Sequence, residues 1–365
     1  MRKSIYSIFI LSAAAWTLSS CSSDNDSEYV EKPEALNPEH VEINLAVQVA
    51  DVMASRSQGD ASMINELYYL VMDKDGNPAD YPQENSNGDV EVLPSKLVRI
   101  EDYDPSSEYQ LTLYMIRGQE FNISFWAQCD EASDIFDLSS FPEVNIDYSK
   151  AQNNNENFDA FCATLNVKGD VGVFNDKVTL RRPFAQINMG AILDDWKASG
   201  IYDIQTVKSS LEIPNAANCI NVLTDRVSVN GVEGVTSNPV VIPLSNIFPD
   251  EDENSTLIVE EFEEPFNESR CISSSYFLVN ANDLADSENT SMPFVFNLDD
   301  GKRTHTISVN NVPVKRNYRT NIVGSILTTT NKIFVVINKD FSGEYDENAD
   351  DTEELEWNYE VSDNE

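Results

Sequence analysis

The sequence predicts an all-β protein made of two β-sandwich domains in tandem, with few and short helices. Two observations support this prediction. Segments in which apolar and polar residues alternate recur along the chain, and this period of two puts every second side chain on one face of a strand. Turn-forming pairs such as Asp-Gly and Asn-Gly separate these segments at short spacing. Many short strands with few helical patterns are typical of β-sandwiches.

The first half of the chain contains a predicted N-terminal domain over residues 41–190. Its first strand spans residues 41–49, where aliphatic residues from Val41 to Val49 fill nearly every second position. Such alternation predicts a strand with one buried face. The other strands of this domain are separated by turns such as Asp75-Gly76 and Lys168-Gly169-Asp170. They are predicted over residues 64–72, 109–115, 121–127, 161–167 and 171–180.

The second half contains a predicted C-terminal domain over residues 191–340. A short helix is expected over residues 191–199, just before Gly200, and the domain boundary lies at residues 190–200. Asn230-Gly231 predicts a tight hairpin. Residues 333–337 are apolar without alternation, which predicts a strand inside the sandwich core. Further strands are predicted over residues 227–229, 240–244, 256–259, 276–279, 294–298 and 305–309.

The last 25 residues, 341–365, form an acidic tail that contains one unexpected pattern. Leu355, Trp357, Tyr359 and Val361 alternate with polar residues, which predicts a strand over residues 355–361. This strand would either close its own C-terminal domain or complete a neighbouring subunit. The alternative is a disordered acidic tail with chance alternation.

The N-terminus has the features of an export signal. Arg2 and Lys3 precede an apolar run that is too short to be a membrane-spanning helix, and the run ends in Leu-Ser-Ser-Cys21. This ending resembles the lipobox of bacterial lipoproteins. The resemblance implies that residues 1–20 are removed, that Cys21 carries the lipid (palmitate among its acyl chains), and that residues 21–40 form a polar tether to the outer membrane, facing the cell exterior. The alternative is an ordinary secretory signal with an incidental Cys.

The charge of the chain argues against nucleic acid as a partner. Removal of residues 1–20 takes away Arg2 and Lys3 but no acid, which leaves 22 basic and 63 acidic residues and a net charge of −41. Such a negative field repels phosphate backbones. It also keeps an exported protein soluble.

Residues that could carry out chemistry are sparse. The two histidines, His40 and His305, are far apart, and neither belongs to a metal-binding pattern. No nucleophile-elbow or phosphate-loop motif occurs. We therefore predict no catalytic residue, no metal, no cofactor and no enzymatic activity. The cysteines of the mature chain lack a C-x-x-C spacing and are expected to be isolated buried thiols: Cys129, Cys162, Cys219 and Cys271.

Two segments resemble a known family. Residues 180–190 read LRRPFAQINMG, which we call the RPFAQ motif, and residues 312–324 read VPVKRNYRTNIVG, which we call the RNYRT motif. Both are similar to segments of fimbrillin-like lipoproteins, the group of type V pilus subunits, anchors and related surface proteins. The resemblance implies two transthyretin-like sandwiches and a role in building or anchoring fimbriae.

The motifs also have a purely structural interpretation. In the RPFAQ motif, Phe184 and Ile187 are expected in the core, while Arg181 and Arg182 would face solvent or pair with acids. In the RNYRT motif, Tyr318 and Ile322 are expected to pack. Arg316 and Arg319 are expected to meet carboxylates.

The same resemblance suggests a processing site. In this family, subunits mature by proteolysis at an Arg after the first strand, and Arg56 precedes Ser57 shortly after the strand at 41–49. Cleavage there would remove the lipid and that strand together, and a donor strand from another subunit could fill the groove. The alternative is an uncut loop, since anchor-type relatives keep their lipid.

Two functions remain open from the sequence. The first is a structural or adhesive surface protein, a fimbrial subunit, tip or anchor whose partners are other fimbrial subunits or a host or bacterial surface ligand. The second is a carbohydrate-binding outer-membrane lipoprotein of a nutrient-uptake system. In that case Trp126, Trp196 and Trp357 are candidates for stacking on sugars.

Overall fold

The computed structural model describes most of the chain after residue 39. The described residues are 40–50, 61–84, 89–169, 174–201, 203–235, 238–250, 252–259, 263–279, 290–328, 333–339 and 357–364. The predicted signal peptide, the predicted tether up to residue 39, Cys21, Arg56, Ser57 and Leu355 lie outside them. His40, which was predicted as the last residue of the tether, is instead the first residue of a strand. Among the described residues, no helix is long and apolar enough to cross a membrane.

The all-β prediction is confirmed. The strands of the first half are β1 (His40–Val49), β2 (Glu66–Asp73), β3 (Asp80–Glu84), β4 (Val90–Pro94), β5 (Val98–Ile100), β6 (Tyr109–Ile116), β7 (Glu120–Gln128), β8 (Phe136–Ser140), β9 (Glu143–Ile146), β10 (Ala160–Lys168) and β11 (Phe174–Leu180). The strands of the second half are β12 (Ala185–Ile192), β13 (Lys208–Ile213), β14 (Ala216–Ala217), β15 (Cys219–Asn221), β16 (Arg226–Ser228), β17 (Val240–Asn246), β18 (Thr256–Ile258), β19 (Glu268–Val279), β20 (Thr290–Asp299), β21 (Arg303–Val314), β22 (Tyr318–Gly324), β23 (Ile333–Lys339) and β24 (Trp357–Asp363).

Helical structure is short, as predicted. The helix expected over residues 191–199 is α1 (Leu193–Ala198), which follows directly on β12. Single turns of 3-10 helix occur at Asp130–Ala132, Glu156–Phe158, Ile204–Thr206 and Glu253–Ser255.

The first sandwich encloses a core between two sheets. One sheet has the order β11-β1-β6 and the other has the order β10-β7-β2-β5. Ile43 and Leu45 of β1 point into this core, where they meet Leu67 of β2 and Phe125 of β7. The alternation that predicted β1 thus reflects one buried and one outer face of its sheet.

The second sandwich is larger and is formed by strands of the second half. One sheet has the order β14-β19-β12-β22-β23, with β18 also paired to β19, and the other has the order β17-β13-β20-β21-β24. Ile187 and Met189 of β12 face Phe294 and Phe296 of β20 across its core. The RPFAQ motif contains the first residues of β12, which pairs with β19 and β22, both later in the chain.

The two central strands of the sheet β10-β7-β2-β5, β7 and β2, are buried on both faces, which the alternation in β7 did not predict. Phe125 points into the core of the first sandwich, while its neighbour Trp126 belongs to the larger core. Leu70 and Met72 of β2 also belong to the larger core. Strands covered on both sides show near-continuous burial, and residues 64–72 indeed form a dense apolar run.

Segments from the two halves are also joined directly. A third sheet has the order β16-β15-β9-β8, in which β9 of the first half pairs with β15 of the second. Asn153 enters the second sandwich, where its amide donates to Ser209 at 2.7 Å and to Ser273 at 3.0 Å. Residues Glu39–Glu365 form one compact unit. The division into domains at residues 190–200 stays a prediction.

Candidate functional site

Strand β1 lies at the centre of its sheet. It pairs with β6 in antiparallel orientation and with β11 in parallel orientation, over nearly its whole length. Its five inward side chains are almost fully buried, and they are Val41, Ile43, Leu45, Val47 and Val49. Each such burial contributes roughly 1.5–3 kcal/mol, so β1 supplies on the order of 10 kcal/mol. That amount is comparable with the whole net stability of an ordinary domain, about 5–15 kcal/mol.

The two neighbours of β1 would be left as open edges without it. Among the described strands, the sheet order β11-β1-β6 gives β6 and β11 no other ladder partner in that sheet. Leu111, Leu113 and Met115 of β6 and Leu180 of β11 would line an apolar slot between them. Unpaired edges beside an apolar slot are the acceptor geometry for strand addition.

The two motifs lie side by side. Strands β12 and β22 are parallel neighbours, with Gln186 opposite Arg319 and Asn188 opposite Asn321. The Nε atom of Arg319 donates to the side-chain oxygen of Gln186 at 2.9 Å. Asn188 Nδ2 donates to Asn321 Oδ1 at 2.9 Å.

The packing predictions for the motifs are confirmed. Phe184, Ile187, Tyr318 and Ile322 are all buried. Arg181 faces solvent, which is one of the two positions expected for it. Arg316 forms the expected ion pair with a carboxylate, that of Asp225. Arg319 donates to the amide oxygen of Gln186, and the negative charge of the Glu156 carboxylate also acts on its guanidinium. The motifs therefore hold strands and loops in place within the fold.

Arg182 of the RPFAQ motif forms a buried ion pair. Its Nε and Nη2 atoms donate to the two carboxylate oxygens of Asp159, each at 2.6 Å, and both side chains are at most 4% exposed. Its guanidinium also lies 4.6 Å from the ring centre of Phe161 and 5.8 Å from that of Tyr276. Burial acts to lower the pKa of Arg182, but the Asp159 carboxylate outweighs it and the pKa is raised. The pair is therefore charged at neutral pH.

The tail contains strand β24, which pairs with β21 of the same chain in antiparallel orientation. Trp357 and Tyr359 pack against the larger core, while Val361 is 44% exposed. The Tyr359 hydroxyl donates to the Leu327 carbonyl oxygen at 2.9 Å and lies 2.9 Å from Nδ1 of the buried His305. The two roles proposed for this strand, closing its own domain or completing a neighbouring subunit, both remain predictions.

The turn beside β24 holds a buried carboxylate, Asp300. Burial acts to raise its pKa, but hydrogen bonds from the backbone N–H groups of Arg303 and Lys302, with further help from His305, lower the pKa to about 2. Its side chain is only 6% exposed. Its ionised form therefore stabilises the β20–β21 turn.

We expect the stability contributed by Asp300 to depend on pH. Because its folded-state pKa lies below the ordinary value, the contribution is present above about pH 4 and is lost as the pH falls toward 2. At neutral pH it amounts to roughly 2 kcal/mol. Urea unfolding of the wild type and of Asp300→Asn at pH 7, 4 and 2.5 should give a difference that shrinks with falling pH. A difference that stays constant across this range would contradict the assignment.

A polar cleft lies between the sheet β10-β7-β2-β5 and the β8–β9 hairpin. It has a volume of about 740 Å³. Tyr68 of β2 and Gln128 of β7 line one side, and residues of the hairpin and its flanking loops line the other, among them Asp134, Asp137 and Asn145. We call it the β8 cleft.

Comparison with known proteins places the chain in a family. Residues 82–357 match the model of a family that is described as a family of unknown function, DUF6562. The chain belongs to this family. No protein with a curated description matches the sequence.

Several solved structures are distantly similar to this DUF6562 protein. A candidate polysaccharide-binding protein (DUF1812) from Bacteroides thetaiotaomicron is 11% identical, with a TM-score of 0.42 and coverage of 82% of this chain and 98% of that one. A candidate cell adhesion protein from Bacteroides eggerthii is 9% identical, with a TM-score of 0.42 and coverages of 82% and 95%. The fimbrial anchor protein Mfa2 from Porphyromonas gingivalis is 10% identical, with a TM-score of 0.38 and coverages of 81% and 97%.

The three tryptophans named as candidates for stacking on sugars all contact other parts of the fold of this DUF6562 chain. Trp126 is fully buried, and its Nε1 donates to Gln128 Oε1 at 2.9 Å. Trp196 is half-buried, with the Arg270 guanidinium 5.7 Å from its ring centre. Trp357 packs against the larger core. The sequence could not show this, because a Trp in a strand has the same pattern whether its outer face is covered or open.

The cysteines are buried and free, as predicted for Cys129, Cys162, Cys219 and Cys271. Burial raises the pKa of the Cys162 and Cys219 thiols to about 11. They are therefore protonated and unreactive at neutral pH. In the part of the chain that the structure describes, no group of three or more His, Cys, Asp or Glu side chains could hold a metal ion.

Proposed function

We propose that this protein is a non-enzymatic structural or adhesive lipoprotein of the cell surface, and that it serves as a subunit, tip or anchor of a fimbria assembled by β-strand addition. The observation that carries the proposal is the position of β1. This strand follows the predicted tether directly, fills the centre of a sheet, and has neighbours that depend on it for pairing. The resemblance of the RPFAQ and RNYRT motifs to fimbrillin-like lipoproteins supports the same role.

In this function, β1 has one role while the chain is uncut and another after cleavage. While the chain is uncut, β1 completes the first sandwich and connects it to a lipid on Cys21. If the chain is cut between Arg56 and Ser57, β1 can leave with the lipid, and the slot between β6 and β11 becomes free for the strand of another subunit. The β24 strand is a candidate donor, because it lies at the edge of its sheet and is only partly buried.

The alternative function is a carbohydrate-binding lipoprotein of a nutrient-uptake system. The buried or packed positions of Trp126, Trp196 and Trp357 do not favour it. Copurification with polymerised fimbriae supports the first function, whereas copurification with a transport complex supports the second.

The N-terminus of the protein recovered from cells distinguishes anchor from polymerising subunit. We expect either a lipidated Cys21 or a start at Ser57, as measured by mass spectrometry of the mature N-terminal peptide. Cys21→Ala should abolish labelling by a palmitate analogue and release the protein from the membrane fraction. Cys162→Ala is the matched control and should leave both unchanged. Normal labelling and membrane retention of Cys21→Ala would exclude lipid anchoring at this residue.

A further inference from the structure

The β8 cleft is lined by a nearly fully buried glutamine, Gln128, whose amide N–H groups make no hydrogen bond within the described part of the chain. Gln128 is 1% exposed, and its Oε1 accepts from Trp126 Nε1 at 2.9 Å. Because an indole N–H can only donate, Oε1 must be the amide atom that faces Trp126. The Nε2 group is therefore directed away from Trp126, and within the described part of the chain it makes no hydrogen bond. Since Gln128 lines the cleft, this donor is available to a ligand there.

An aromatic ring lies on the same side of the cleft. Tyr68 is half-buried and lines the cleft, and its hydroxyl donates to Glu66 Oε2 at 2.6 Å. Glu66 also forms an ion pair with Arg99. Burial and the Glu66 carboxylate raise the pKa of Tyr68, so the hydroxyl stays protonated and the hydrogen bond fixes the ring. Tyr68 packs against the larger core, as Trp196 and Trp357 do, but unlike them it lines the cleft, so the part of its ring on the cleft side is the apolar surface offered to a ligand.

The opposite wall supplies acceptors. Asp134, Asp137 and Asp147 line it together with Asn145, and Lys150 is the cation among the lining residues. A hydrogen bond from the Ser139 backbone N–H lowers the pKa of Asp137, which keeps it ionised. Asp147 already accepts hydrogen bonds from the backbone N–H and the hydroxyl of Ser149, and it lies 3.8 Å from Lys150 Nζ. Ionised carboxylates only accept hydrogen bonds, so a ligand must bring donors for the remaining acceptor positions, chiefly those of Asp134 and Asp137.

We propose that the β8 cleft binds a neutral saccharide. Its volume of about 740 Å³ falls in the range of roughly 300–1,000 Å³ that is usual for small-molecule sites. Vicinal hydroxyls supply donors for Asp134 and Asp137 and an acceptor for Gln128 Nε2. The C–H face of a pyranose packs on the Tyr68 ring. Three aspartates against one lysine, on a chain of net charge −39, repel sialylated or sulphated glycans.

This inference rests on the proposed adhesive role of the protein and assigns a class of ligand and a binding site to that role. Binding is tested on the isolated mature chain, so its failure is distinguishable from a failure of lipid anchoring or strand addition. The probes are an array of neutral oligosaccharides, a matched set of sialylated and sulphated ones, and lysine-rich peptides. Hits are followed by titration calorimetry. We expect binding to neutral oligosaccharides with a Kd below about 1 mM, the range of weak specific complexes.

Variants of the cleft should weaken this binding selectively. Gln128→Glu keeps an acceptor for Trp126 and removes the donor, and Asp134→Asn changes an exposed acceptor without disturbing the core. Each should lower the affinity about tenfold or more, the effect of losing a hydrogen bond to a charged or buried group. Tyr68→Ala should lower it by a similar factor, whereas Tyr68→Phe, which keeps the ring, should lower it less. Thermal melting of each variant shows that the fold is intact.

Asp194→Asn is the matched control, since Asp194 is an exposed acid on α1 outside the cleft. Its affinity should stay within about twofold of the wild type. The proposal is overturned if no neutral oligosaccharide binds, if binding persists unchanged in Gln128→Glu and Asp134→Asn, or if anionic glycans or lysine-rich peptides bind in preference.

Discussion

A chain that begins at Ser57 is expected to lack a stable fold on its own and to regain it when a peptide with the sequence of β1 is added. Without β1, the inward faces of β6 and β11 lose five buried aliphatic neighbours and both strands become unpaired edges. The loss is on the order of 10 kcal/mol, which is about the full stability of a domain. A peptide that binds only the folded state restores stability by mass action, by about 2.7 kcal/mol at a hundred times its Kd.

The measurement is the melting temperature of the Ser57 chain at increasing concentrations of the peptide HVEINLAVQV. The melting temperature should rise with concentration. A peptide with Leu45→Asp should fail, because it would bury an unpaired carboxylate at a position that is fully buried. A peptide with Ala46→Asp, which places the acid on the other face, should still bind. Full stability of the Ser57 chain without any peptide would refute the role that we assign to β1.

The sequence predicted those strands that have one buried face. Val41 to Val49 alternate because β1 has the core on one side only. The same alternation correctly predicted β7 as a strand, but it did not predict that the second face of β7 is buried. Trp126 and Ser124 on that face are buried as deeply as Phe125. Period-two reasoning assumes one open face, and it cannot foresee that a second sandwich covers that face.

Very short strands and long-range strand pairing could not be predicted from the sequence. Strands β8, β9 and β15 have three to five residues each, too few for a recognisable alternation. The RPFAQ and RNYRT motifs revealed which side chains pack, because apolar residues at strand spacing tend to be buried. Their parallel pairing, with Gln186 opposite Arg319, depends on the order of strands in the sheet, which local patterns do not encode.

The β8 cleft gave no signal in the sequence. Gln128 ends an alternating strand, where a polar residue is ordinarily exposed and needs no further explanation. Its significance arises only because Trp126, two residues earlier on the same strand, occupies its oxygen and leaves its Nε2 facing the cleft.

Replacing Arg182 with Met is expected to destabilise the protein by about 3–5 kcal/mol, the effect of removing one member of a buried ion pair. The Asp159 carboxylate is 3% exposed and would lose its two hydrogen bonds from Arg182. Arg182→Lys should also be destabilising, because an ammonium group cannot donate in the same planar, two-pronged geometry or stack on Phe161. Denaturant unfolding at neutral pH measures both changes.

The double variant Arg182→Met, Asp159→Leu separates the ion pair from the packing around it. The backbone N–H of Ala160 loses its acceptor, Asp159 Oδ1, in both Asp159→Leu and the double variant, whereas only the single variants remove one charge of the pair and keep the other. The double variant should therefore be less destabilised than the sum of the two single variants, by at least about 1 kcal/mol. The exposed pair between Lys197 and Asp194, 3.9 Å apart, is the control, and Asp194→Asn should change stability by less than about 0.5 kcal/mol. Strict additivity of the Arg182 and Asp159 changes would show that the two charges are not coupled. In that case the arginine of the RPFAQ motif would stabilise the fold through contacts such as those with Phe161 and Tyr276 and not through the charge of Asp159.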